Sequence, residues 1–165
     1  IFTLAKQGRY RAASLAAARL GWDKLLRGAT ATQQLLLADV ARLSDNPTRA
    51  RSILAALRRA SPRTAEAASA AFRLGRLSLS AARHERGLVA RRARFAAAAA
   101  WFERCLRETR QRHLAQAAAG RHLEALLSAG SRREARAAAK RYLARFPKGP
   151  QAGTARRVLT SKDQN

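Results

Sequence analysis

The segment "EARAAAKRYLARFP" (134–147) lies on "RARSILAALRRASP" (49–62) without a gap. Ala50 falls on Ala135, Leu54 on Ala139, Leu57 on Tyr142 and Pro62 on Pro147. Two further segments share the phase: "GRYRAASLAAARL" (8–20) with Ala13 and Ala17, and "AAAAWFERCL" (97–106) with Ala98, Phe102 and Cys105. The phase-marking alanines are thus Ala13, Ala50, Ala98 and Ala135, at intervals of 37, 48 and 37 residues. Equal intervals on either side of a longer one describe a repeat with an insertion. Self-similarity at such a period marks stacked units that bury their apolar faces against their neighbours.

Between the breakers the apolar residues recur at helical spacing, and strand alternation is not evident. The breakers are Gly8, Gly21, Gly28, Asp45-Asn46-Pro47, Ser61-Pro62, Gly87, Gly130-Ser131 and Pro147-Lys148-Gly149-Pro150. The pattern predicts helices near 9–20, 32–43, 47–60, 62–83, 88–109, 112–128, 132–146 and 151–160. Asn46 before Pro47 reads as an N-cap followed by proline at the first helical position, and Ser131 with Glu134 as a capping box. Phe146-Pro147-Lys148-Gly149-Pro150 then ends one repeat, and residues 151–159 start a helix that caps the stack.

Composition agrees with a helical core of small side chains. The 165 residues are 47% hydrophobic with only 5% aromatic, and alanine dominates the apolar set, which favours helices in close approach over sheets. There is no run of 18 apolar residues that would read as a membrane span. The chain opens on Ile1 and has no Met, which reads as a fragment or processed product and leaves room for a targeting or anchoring segment upstream. The net charge is +24, and 29 of the 34 basic residues are Arg, spread over the whole chain. That distribution reads as a solvated surface with the codon bias of a GC-rich genome, the alternative being a dedicated phosphate-binding patch. Cys105 lies on the stripe Phe95, Ala98, Phe102, Cys105 and reads as a small core residue.

On these residues the chain resembles the tetratricopeptide-repeat family. That family has Leu-Gly on the first helix of each pair, Ala-x-x-x-aromatic on the second, and a closing Pro. Leu74-Gly75 matches the first element, with Leu37-Ala38 a conservative version; Ala98-x-x-x-Phe102 matches the second, and Pro62 and Pro147 the third. Gly8-Arg9-Tyr10 and Gly130-Ser131-Arg132 sit where the family turns between paired helices. The match departs from the pattern where Tyr10 has no counterpart at Pro47 or Arg132, where Arg110 replaces a closing Pro, and where His122-Leu123 replaces Leu-Gly. The resemblance implies an all-α, right-handed solenoid of antiparallel helix pairs with a C-terminal capping helix. Its repeats would span roughly 1–21, 31–62, 63–110 with an insertion near 80–94, and 112–147, with the cap at 151–160 and a frayed tail at 161–165. The stretch "RREARAAAKRYLARFPKGPQAGTARRVL" (132–159), preceded by "AFRLGRLSL" (71–79), is also similar to the C-terminal repeat modules of bacterial envelope proteins. These include FecR-like anti-sigma regulators and outer-membrane assembly or Tol-Pal-associated proteins. That similarity implies an envelope or periplasmic location, with the cytoplasm as the alternative.

No catalytic, cofactor or metal site is expected. His84, His113 and His122 stand at no ligand spacing with one another or with Cys105, and no glycine-rich phosphate loop is present. Carboxylates sit within a helical turn of an Arg, as in Glu103 with Arg107 and Glu108 with Arg112, which reads as surface pairing and not as acid–base dyads. What remains is a binding surface. In the first helices, Leu37/Ala38, Leu74/Gly75 and Leu123/Leu126 would face the partner helix. The other stripe, at i, i+4, i+7, is Leu35-Asp39-Arg42, Phe72-Arg76-Leu79 and Gly120-Glu124-Leu127. In the family this stripe lines a concave groove that takes a peptide or helix, which implies a partner protein or peptide segment, with Asp39 and Glu124 nearly balancing Arg42 and Arg76. The alternative is a nucleic-acid or anionic-membrane surface built on "RHERGLVARRAR" (83–94), with Arg83, Arg86, Arg91, Arg92 and Arg94 as its contacts.

Overall fold

A computed structural model describes residues 1–161. Among them are ten helices and no strand: α1 Phe2–Lys6, α2 Tyr10–Leu20, α3 Trp22–Gly28, α4 Ala31–Leu43, α5 Pro47–Ala60, α6 Ala65–Arg83, α7 Leu88–Glu108, α8 Arg112–Ala129, α9 Arg132–Arg145 and α10 Ala152–Thr160. The eight expected helices are present, and α1 packs with α2, α4 with α5, α7 with α8, and α9 with both α8 and α10. The short α1 and α3 lie outside the expected set. Most of the expected tail, 162–165, lies outside the described residues. Contacts divide the chain into two compact units, Ile1–Arg73 and Leu74–Asn165, with the boundary inside α6.

Local chemistry sets the helix starts. Thr30 begins α4: its Oγ1 accepts from the Gln33 N–H at 3.2 Å, and Gln33 Oε1 accepts from the Thr30 N–H at 2.9 Å. This reciprocal capping box satisfies two donors that a helix end would otherwise leave unpaired. Asn46 caps α5, its Oδ1 accepting from the Arg49 N–H at 3.0 Å, with Pro47 at the first helical position as expected. The expected start of α6 at Pro62 is corrected to Ala65. Arg63 is in the left-handed region with φ 63°, and Thr64 Oγ1 accepts from the Ala67 N–H at 3.1 Å. The expected Ser131–Glu134 capping box is also corrected, because the Ser131 side chain makes no cap bond. The Ser131 N–H that Glu134 would accept from is already donated to the Leu126 carbonyl at 3.0 Å.

That last bond belongs to a turn found three times. Between α1 and α2, α4 and α5, and α8 and α9, one left-handed residue is followed by one residue with ψ near 60–70° (Arg9 58°, Asn46 69°, Ser131 68°) and then the next helix. The left-handed residues are Gly8 (φ 75°), Asp45 (φ 65°) and Gly130 (φ 79°). In each case the following N–H reaches back five residues: Arg9 to the Leu4 carbonyl at 2.9 Å, Asn46 to Ala41 at 2.8 Å, and Ser131 to Leu126 at 3.0 Å. This is the hydrogen bond of a Schellman-type helix end, where glycine adopts φ > 0 at no steric cost. Closing geometry repeats too. Ser61 after α5 has φ −134°, ψ 63°, and Phe146 after α9 has φ −136°, ψ 60°.

Burial follows the same phase. Ala13, Ala50, Ala98 and Ala135 are all 0% exposed, and Leu57 and its counterpart Tyr142 are each 1% exposed. In the first unit, α4 presents Leu37, Ala38, Val40 and Ala41, and α5 presents Ala50, Ile53, Leu54 and Leu57, all buried. In the second unit, Gly75 admits the ring of Phe102: a Cβ there would stand 2.6 Å from Phe102 Cε1. Cys105 is buried beside it in sequence phase. α10 is bound to α9 by polar contacts. Tyr142 Oη accepts from the Gln151 N–H at 3.1 Å, and Arg136 donates to the carbonyls of Val158, Leu159 and Ser161 at 3.3, 3.3 and 2.9 Å. A guanidinium closing the carbonyl end of a helix also complements its dipole.

Candidate functional site

In the first unit the expected stripe centres on Asp39 of α4, which is half-buried. Arg42 Nη2 donates to Asp39 Oδ1 at 3.4 Å, and Arg73 Nε of α6 donates to Oδ2 at 3.0 Å. Arg73, absent from the expected set, is therefore a full partner of this carboxylate. Leu35 is 8% exposed and belongs to the core, which corrects its expected place on a partner surface. It belongs to the buried set of α4 with Leu37, Ala38, Val40 and Ala41. Phe72 of α6 is half-buried.

In the second unit Glu124 of α8 plays the same part. Arg83 Nη2 and Arg121 Nη1 donate to its two oxygens at 2.7 Å each. Leu127 is 39% exposed and Arg76 is exposed, whereas Leu79 is 4% exposed and joins the core, a second correction of the stripe. Gly120 is buried against Gln151, whose Cγ would be 2.9 Å from an added Cβ. The expected near-balance of charge is also corrected: each carboxylate is held by two arginines, so both sites carry surplus positive charge.

The alternative anionic-surface residues are separated by the same interactions. Arg83 is committed to Glu124, and Arg94 Nε donates to Glu85 Oε2 at 2.9 Å. Glu85 also accepts from the Gly87 N–H at 3.4 Å, and these two bonds hold its carboxyl below the usual range, the backbone bond being the larger cause. Arg86, Arg91 and Arg92 remain on a stretch, 86–94, in which every residue is exposed.

A feature outside the expected set is a cleft of about 410 Å³ between α7, α8 and α9. Leu106, Ala119, Tyr142 and Phe146 supply apolar walls, with His122 at the base, 7% exposed. Glu103, Arg107, Arg141 and Arg145 supply its charges. Glu103 takes Arg107 at 3.5 Å, and Arg145 lies over the Phe146 ring at 5.3 Å. Arg141 makes no hydrogen bond or ion pair among the described residues. Burial pushes the His122 pKa below its usual value; Arg141 pushes the same way and Glu103 opposes. The signal for this cleft in the sequence is three short stripes, 103/106/107, 119/122 and 138/141/142/145, each at helical spacing.

Among the described residues no three His, Cys, Asp or Glu side chains gather as a metal site, and no helix is long and apolar enough to cross a membrane. Comparison with protein-family models, with curated proteins and with solved structures finds no match.

Proposed function

We propose that the chain is a tetratricopeptide-like helical-repeat module, a right-handed solenoid of antiparallel helix pairs closed by a capping helix. It holds a segment of a partner protein and performs no catalysis of its own. The observation that carries this reading is the thrice-repeated turn at Gly8, Asp45 and Gly130, in phase with the buried alanines. Repeats of this kind stack to present a row of first helices, and such rows take extended or helical segments of other proteins. In the first unit the stripe has half-buried Phe72 with the Asp39–Arg42 pair, and in the second it has exposed Arg76 and Leu127 with the Glu124 pair. Surplus arginine at both carboxylates favours a partner segment with acidic residues flanking an apolar anchor.

Phe72→Ala and Arg76→Glu should each weaken the cognate partner by about 1–3 kcal/mol, since interfaces concentrate their energy in aromatic and Arg anchors. Neutralising Arg91, Arg92 and Arg94 together should leave that affinity intact. Partner binding lost in the triple variant and kept in the other two, with affinity collapsing steeply as salt rises, would replace this reading with the anionic-surface one.

A further inference from the structure

We propose that the outer face of α9 docks on the phosphate backbone of a nucleic-acid duplex, through Arg132, Arg133 and Lys140 with Arg136 between them. This goes beyond the partner-segment reading, whose residues lie on α4, α6 and α8.

The four basic side chains, with Ala137, line one open trough of about 510 Å³ to which no carboxylate contributes. At about 100° per residue they share one side of α9, and Glu134, the only carboxylate of that helix, lies roughly 100° or more around the axis from each of them. Arg136 is held in place by its bonds to the Val158, Leu159 and Ser161 carbonyls. The side chains of Arg132, Arg133 and Lys140 are exposed and make no hydrogen bond or ion pair among the described residues. Asp39 and Glu124 show the contrast, each carboxylate being filled by two arginines.

Geometry then selects the anion. From Arg132 to Lys140 the helix rises about 12 Å, so the charge runs along a line and does not gather at a point. Each strand of a duplex carries one phosphate per roughly 3.4 Å of axis, about four over that length, which matches the four cations. Guanidinium forks suit phosphate oxygens. Proteins that hold single strands stack the bases on aromatic side chains, but Tyr142 and Phe146 are 1% and 3% exposed. Helices that lie on membranes insert large apolar residues, and among the described residues none of the exposed large apolar side chains belongs to α9 or α10.

The test uses the 165-residue chain and fluorescence anisotropy of a labelled DNA duplex of about 16 base pairs, between roughly 50 and 200 mM KCl. Arg132→Gln, Arg133→Gln and Lys140→Gln together should flatten the slope of log K against log salt by about 2.7, three contacts at about 0.9 each. The unsubstituted chain should therefore lose about fortyfold more affinity than this variant across that salt range. Glutamine is a good helix former and the three positions are exposed, so α9 is retained, as circular dichroism should show. The same change of charge at Arg91, Arg92 and Arg94 should flatten the slope by less than about 1. Equal flattening by the two triple variants would make the binding a property of net charge alone and overturn the proposal, as would an unchanged slope in the α9 variant. Tighter binding of a single strand of the same length would also overturn it. So would displacement of the duplex by phosphatidylglycerol vesicles at equal phosphate concentration, since the surface would then belong to a membrane.

Discussion

Alanine normally outperforms glycine inside a helix by about 1 kcal/mol, yet at position 75 the structure reverses the sign. A Cβ on Gly75 would meet Phe102 Cε1, Cζ and Cδ1 at 2.6, 2.8 and 2.9 Å. Carbon atoms in contact prefer about 3.5–4.0 Å, so the methyl overlaps three ring atoms by roughly 1 Å. The ring is 0% exposed, so any retreat must displace the groups that bury it. Overpacking of this kind costs about 1–3 kcal/mol, which outweighs the helical gain and leaves Gly75→Ala less stable by about 1 kcal/mol. Thermal unfolding followed by circular dichroism should show a fall in Tm of about 2–4 °C. Gly153→Ala in α10 is the matched control: its Cβ would meet only Arg157 Nη1, at 3.9 Å, and it should stabilise by up to about 1 kcal/mol. In a Phe102→Leu background the cost of Gly75→Ala should shrink, because the two positions are coupled through contact. If Gly75→Ala stabilises as Gly153→Ala does, the close approach of α6 and α7 is wrong.

The repeated turn predicts opposite effects at equivalent positions. Asp45→Gly should stabilise by roughly 0.5–1 kcal/mol by relieving a left-handed aspartate, and Gly130→Ala should destabilise by about 1 kcal/mol, both read from urea midpoints. Among the caps, Thr30→Ala should cost about 1 kcal/mol, whereas Ser131→Ala, at a position without a side-chain cap bond, should stay within about 0.5 kcal/mol; equal losses at both would contradict the assigned bonding. His122 gives the pH dependence. Its folded pKa is lowered, so its contribution is fully present above the usual value of 6.5 and is lost as pH falls below it, where the unfolded chain binds the proton first. The charged and titratable groups facing it are Glu103 and Arg107 from α7 and Arg141, Tyr142 and Arg145 from α9. His122→Gln should flatten the urea-midpoint profile in that window, and an unchanged slope would assign it to other groups.

The helices were legible because each repeat carries its own apolar phase, and Ala50 and Ala135 report the same burial from two distant segments. α1 and α3, with five and seven residues, are too short to show a period. Capping motifs were ambiguous in both directions. Thr30-Ala31-Thr32-Gln33 fits the pattern and forms the box, while Ser131-Arg132-Arg133-Glu134 fits it and does not, because the preceding turn has already taken the Ser131 N–H. The partners of the two stripe carboxylates were hidden for another reason. Arg73 lies 34 residues from Asp39, and Arg83 lies 41 from Glu124, so only the packing of helices brings them together. Leu35 and Leu79 show how narrow the margin is between a core stripe and its neighbour: a small rotation of a helix decides which side of the boundary a leucine falls. The cleft needed three helices at once, and His122 looked in sequence like a departure from a Leu-Gly pattern.

Site-specific photo-crosslinking tests the central claim most directly. Benzoylphenylalanine is introduced singly at Arg76, Leu127 and Arg91, all exposed, in cells that produce the protein. The account predicts that positions 76 and 127 crosslink to the same polypeptide and that position 91 does not. Crosslinks from 91 to nucleic acid or lipid, with 76 and 127 silent, would contradict it.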